Sequence, residues 1–82
     1  MENLKTQSIV LESQGIKEEY QVREKDHGDE VVYDIFRKEH YLLTLAKDAT
    51  ILFMDADVPA AEKEIFNPAF LHRMIDTIQA RS

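Results

Sequence analysis

Few residues in this chain have the type and spacing to do chemistry. The three histidines are His27, His40 and His72, and there is no cysteine. His27 and His40 fall in successive turns at opposite ends of one expected strand. About ten residues at ~3.3 Å each hold them roughly 30 Å apart, so they cannot share an ion. His72 falls on the polar side of an expected helix. A metal centre needs several converging ligands, and neither a metal nor a cofactor is expected.

Two other groupings deserve a test against their chemistry. The strand register developed below sets His40 opposite Asp55, the minimum pairing for general-base work. An ordinary cross-strand pair at a sheet edge has the same composition. No nucleophile stands at a fixed offset, and Ser8, Ser13 and Ser82 lack elbow glycines. Asp55-Ala56-Asp57 with Glu62 and Glu64 resembles the start of a calcium loop. Such a loop needs another ligand two residues after Asp57 and a glycine beyond it, where this chain has Pro59 and Ala60. Asp57 is better suited to capping the segment that follows. The isolated Gly15 and Gly28 suit turns, not a phosphate cradle.

Composition narrows the partners. Sixteen acidic residues against ten Lys plus Arg give a formal charge of −6 over 82 residues. Nucleic-acid binding by counterion release needs clustered bases, and the one adjacent pair, Arg37-Lys38, is followed by Glu39. An anionic membrane surface is disfavoured for the same reason. No apolar run approaches the ~18 residues of a membrane span. Met1-Glu2-Asn3-Leu4-Lys5 lacks the basic-then-apolar order of a secretory signal. The expectation is one small cytoplasmic domain over residues 1–82.

The elements that would position these residues follow from turn signals at Gln14-Gly15, His27-Gly28, Lys38-Glu39-His40 and Lys47-Asp48. Between them, short runs rich in Val, Ile, Tyr, Phe and Thr suit a pleated surface. Such tight spacing implies antiparallel hairpins. A two-residue loop at Gln14-Gly15 pairs Ile9 with Tyr20. One at His27-Gly28 pairs Val22 with Tyr33 and Tyr20 with Ile35. A three-residue loop at Lys38-Glu39-His40, the length that keeps apolar residues together, pairs Ile35 with Leu43 and Tyr33 with Leu45. A two-residue loop at Lys47-Asp48 pairs Leu43 with Leu52 and Tyr41 with Met54. Paired residues share a face, so one face collects Ile9, Leu11, Tyr20, Val22, Val31, Tyr33, Ile35, Tyr41, Leu43, Leu45, Leu52 and Met54.

After Pro59 the pattern changes. Asn67 is a good N-cap and Pro68 a good first helical residue. Phe70, Leu71, Met74, Ile75 and Ile78 form a helical stripe that would lie on the apolar sheet face. Pro59 to Phe66 is a connector with a short helical turn around Ala60 to Glu64. The expected fold is therefore α+β: a five-stranded antiparallel meander with one C-terminal helix packed on one face. The alternative makes Asn3 to Gln14 a helix ended by Gly15, followed by a four-stranded meander and the C-terminal helix.

The second sheet face should be polar if it meets water. Gln21, Arg23, Asp34 and Thr44 satisfy this. Phe36, Leu42 and Phe53 do not: the register lines them up in one row, with Ile51 in the next and Val32 nearby. Either the connector or the N-terminal residues (Leu4, Ile65, Phe66) cover this patch, or it docks a protein. The functional expectation is a small non-enzymatic interaction module, self-associating as a homodimer or docking a protein partner through Phe36, Leu42, Ile51 and Phe53. The competing expectation is a small-molecule binder or enzyme at the sheet end, near Glu39, His40, Asp55 and Asp57. A concave, partly apolar pocket there would favour it.

Overall fold

The hairpin loops decide the pairing, and a computed structural model describing residues 5–81 shows how. Five strands, β1 (Lys5–Ser13), β2 (Ile16–His27), β3 (Glu30–Arg37), β4 (His40–Ala46) and β5 (Ile51–Met54), lie side by side in chain order, all antiparallel. Two helices follow, α1 (Ala60–Ile65) and α2 (Pro68–Arg81). The α+β meander is thus present, and the segment that could have been a helix is strand β1. Asn3 and Leu4, at the start of that rival helix, lie outside the described residues.

At the first loop, Gln14 and Gly15 both have positive φ (55° and 79°), as a type I′ turn requires. Nine successive pairs follow without interruption, Ile9 opposite Tyr20 among them. The second loop is Gly28-Asp29, one residue later than expected. Gly28 takes the first loop position at φ 70°, where the right-handed strand twist favours a glycine. Moving a two-residue loop by one position slides the pairing by two. Val22 therefore faces Ile35, not Tyr33, while every side chain keeps its face.

The third loop departs more. It holds two residues, Lys38 and Glu39, both at positive φ (51° and 69°). Ile35 still meets Leu43 and Tyr33 still meets Leu45, because a β-bulge supplies the missing residue. Phe36 pairs with Tyr41 next to Ile35 with Leu43, leaving Leu42 unpaired between them. The fourth loop spans residues 47–50. Asp48 Oδ1 accepts a bond from the Thr50 N–H at 3.0 Å, and Ala49 adopts φ 70°. Leu43 consequently meets Met54, not Leu52. A second bulge leaves Leu52 unpaired between Phe53 opposite Thr44 and Ile51 opposite Leu45.

One sheet face forms the core. Ile9, Val22, Ile35, Leu43 and Leu45 are fully buried there, with Tyr20 and Tyr33 nearly so. Helix α2 closes it with Phe70, Leu71, Met74, Ile75 and Ile78, all buried. Each such aliphatic side chain gains roughly 1.5–3 kcal/mol gross from leaving water. The helix starts where Asn67 Oδ1 accepts from the Phe70 N–H at 2.9 Å, satisfying one of the donors a helix start leaves free. It lies over the β1 side of the sheet. Helix α1 has no side-chain cap, so Asp57 does not cap it. Buried Val58 before it and Phe66 after it tie the connector to the core. Among the described residues no helix is long and apolar enough to cross a membrane.

Candidate interaction face and the cavity beside it

The outer sheet face gathers aromatic side chains from β3, β4 and β5. Phe36 lies edge-on to Tyr41, with ring centroids 5.7 Å apart and planes at 71°. Tyr41 stacks on Phe53 at 6.0 Å and 29°. Arg23 of β2 places its guanidinium 5.0 Å from the centre of the Phe36 ring. Val32 is buried on this face by its neighbours, whereas Leu52 and Phe53 are 51% and 61% exposed. The strip therefore grades from a covered middle to a bare edge at β5.

The two bulges rearrange the expected membership of this face. Phe36 and Phe53 belong to it. Leu42 does not: as the unpaired residue of the β3–β4 bulge it turns into the core, 4% exposed. Ile51 pairs with Leu45 on the core side and is partly exposed at the sheet edge. Tyr41 and Leu52, expected in the core, take their places outside. An alternating pattern cannot announce a bulge, because the bulge breaks the alternation that locates it.

Tyr41 also anchors a polar chain across the same face. Its hydroxyl bonds to Thr44 Oγ1, and the Thr44 hydroxyl donates to Asp34 Oδ1 at 2.7 Å. Burial raises the pKa of the Tyr41 phenol, the Thr44 bond opposes that, and the Asp34 and Asp55 carboxylates add to it. The phenol stays neutral through the physiological range. Nothing covers the strip from the connector side. Phe66 packs instead on the core face, 6.4 Å from Tyr20 and 5.9 Å from Phe70, with Ile65 beside it. Leu4 lies outside the described residues.

Comparison with known protein-family models, curated proteins and solved structures finds no match to this chain.

The second candidate lies at the sheet end where β3 passes into β4. A cavity of about 500 Å3 there is lined by His40, Asp55 and Asp57 together with Glu18, Arg37 and Glu62. Leu42, Val58 and Pro59 give it an apolar part. Glu39 lines a neighbouring concavity of about 410 Å3, with Arg23 and Phe36, so the expected quartet is divided. His40 is not opposite Asp55: it pairs with Arg37, and β5 ends at Met54 before the Asp55 N–H donates to the Leu42 carbonyl at 2.8 Å. The longer fourth loop and the β4–β5 bulge cause that displacement.

One pairing at this cavity escaped the sequence reading. Arg37 forms an ion pair with Glu62, tying β3 to α1. Its guanidinium also reaches the Tyr20 hydroxyl; that contact and its charge oppose the larger effect of burial, which raises the Tyr20 pKa. An arginine at a strand end and a glutamate in a short connector carry no sequence signal of their meeting. The remaining histidines stand apart. The register sets His27 opposite Glu30, at the far end of β3 from His40. His72 Nδ1 donates to the Pro68 carbonyl at 2.8 Å. Among the described residues no three His, Cys, Asp or Glu side chains converge as metal ligands would.

Proposed function

We propose that this chain is a non-enzymatic interaction module that self-associates through the outer face of its sheet. The observation that carries the reading is the aromatic strip, in which Phe53 and Leu52 stay more than half exposed while ring contacts fix their neighbours Tyr41 and Phe36. Preordered aromatic anchors lose little freedom on binding, and such residues dominate interface energetics.

Two features favour a second copy as the occupant. The first is charge. The chain carries −6, but the charges set among these aromatics, Arg23, Lys25, Asp34 and Asp55, sum to zero. Copies meeting here bring together a surface without net charge. The second is size. Five strands about 4.8 Å apart, each roughly eight residues long, give a footprint of about 600 Å2 before side-chain relief is counted. A stable interface takes about 800 Å2 of accessible surface from each partner, so the face is of the right order. A domain this small also gains from association, because a single small core is marginal.

Sedimentation equilibrium of the wild type and of Phe53→Glu tests the reading. The expected result is a concentration-dependent dimer for the wild type and a folded monomer for the variant. Equal, monomeric masses for two folded proteins would refute it.

A second reading rests on the cavity at the sheet end: a small-molecule site using His40, Asp55 and Asp57 beside an apolar wall. Protein-observed NMR against a fragment collection tests this. Binding that His40→Ala removes supports it, and a set of fragments with no chemical-shift change at His40 or Val58 counts against it.

A further inference from the structure

The two edges of the sheet differ in kind. β5 is four residues long and carries a bulge, a common way to blunt an edge. β1 is nine residues long, Lys5–Ser13, and pairs with β2 without any irregularity. It contains no proline. The two-residue loop makes Ser13 and Ile16 a hydrogen-bonded pair. The alternation of an antiparallel ladder then directs the N–H and C=O groups of Thr6, Ser8, Val10 and Glu12 away from β2. All four residues are exposed, Val10 at 55%. Among the described residues, none of these groups bonds to a loop or helix backbone. The edge is a regular, open template of unpaired backbone groups.

From this edge we infer a second contact, independent of the outer face: β1 pairs antiparallel with β1 of another copy about a two-fold axis at Ile9, joining two sheets into one. The register follows from the side chains. Odd-numbered residues of β1 face the core and even-numbered ones face out, as burial of Ile9 and Leu11 and exposure of Ser8 and Val10 show. Pairing that keeps both faces intact must match even with even. Centring on Ile9 uses the whole strand and sets Ser8 opposite Val10 and Thr6 opposite Glu12. Each of these outward pairs then exchanges two hydrogen bonds across the junction. The acid agrees with the antiparallel sense. Antiparallel pairing keeps the Glu12 residues of the two copies at opposite ends of the junction, whereas parallel pairing would stack them. Three uncharged residues, Ser8, Ile9 and Val10, occupy the centre.

The edge contact and the face contact use different strands, so they can be tested apart. Phe53→Glu lies on β5 and leaves β1 untouched. In that background, amide hydrogen exchange by NMR is compared at micromolar and millimolar protein. The inference expects the Thr6, Ser8, Val10 and Glu12 amides to slow by at least about tenfold at the higher concentration, while the already bonded Ile9 and Leu11 amides start protected. Val10→Pro deletes one outward donor that the β1–β2 ladder does not use and should abolish the slowing. Ser8→Lys, which places a charge on the edge, gives the same readout should the proline variant fail to fold. Equal exchange of the four outward amides at both concentrations, or slowing that survives in the folded variants, would overturn the inference. A wild type that is monomeric at β5 but protected at β1 would refute the face reading alone.

Discussion

Three aromatic rings are in contact on each side of this sheet, and their fates differ. On the core face, Tyr20 meets Phe66 at 6.4 Å and Phe70 at 6.2 Å, and all three are buried under the connector and α2. On the outer face, Phe36, Tyr41 and Phe53 touch in the same manner, and the last ring is 61% exposed. Ring packing alone therefore does not make a core. The difference is the second layer, supplied to one face by the C-terminal third of the chain and to the other by nothing among the described residues.

The sharpest way to break this comparison is to remove a side chain from each face. Met74→Ala, at a site with no solvent exposure, should lower stability by about 2–5 kcal/mol through lost burial and a residual cavity. Phe53→Ala should change the stability of the dilute monomer by no more than about 0.5 kcal/mol. Urea denaturation of both at low concentration checks the pair. Equal losses would mean that the outer strip is a second core.

A smaller effect is expected where the second layer begins. Asn67→Ala removes the side-chain oxygen that accepts from the Phe70 N–H and should cost about 1 kcal/mol. Asn67→Ser should recover most of it. A null result by thermal denaturation would show that packing of α2, and not its cap, fixes where the helix starts.

The β3–β4 loop offers a gain. Lys38 and Glu39 both hold positive φ, which suits Asn and Gly far better. The double change Lys38→Asn with Glu39→Gly should stabilise the protein by about 1 kcal/mol and leave the Leu42 bulge in place. Hydrogen-exchange protection at Leu43 reports the stability, and ring contacts of Tyr41 with Phe36 report the face.

The smallest predicted effect distinguishes the faces by titration. Burial raises the pKa of Tyr20 and Tyr33 on the core side and of Tyr41 outside. An unfolded tyrosine ionises near 10. The folded state therefore favours the neutral phenols. Their stabilisation is complete below about pH 10 and is lost as pH rises through the raised values. Association through the outer face desolvates Tyr41 further. Its pKa should fall toward 10 when the wild type is diluted from dimer to monomer, while that of Tyr20 holds, as read from tyrosine ring carbon shifts. A parallel movement of both would contradict the assignment of Tyr41 to the contact.

The sequence made the meander legible for definite reasons. Gly15 and Gly28 mark turns by the φ values only glycine takes without strain, and Asn67-Pro68 mark a helix start. Alternation then put Ile9, Tyr20, Val22, Ile35, Leu43 and Leu45 on one face despite a two-residue slip at Gly28, because such a slip preserves parity. The failures share one origin. Neither Lys38-Glu39 nor Ala49 has turn chemistry that matches its backbone, so both loops were located but their lengths were misread, and each is followed by a bulge. Tyr41 and Leu42 exchanged faces across the first, and Leu52 left the core across the second. The candidate face was thus half legible: Phe36 and Phe53 stand where expected, Leu42 and Ile51 do not.

The most direct measurement is an isotope-filtered NOE experiment on a mixture of labelled and unlabelled chains at millimolar concentration. The account predicts intermolecular contacts from the rings of Phe36, Tyr41 and Phe53 and the methyls of Leu52. A spectrum without intermolecular contacts at these residues, or with contacts confined to α2, would contradict it.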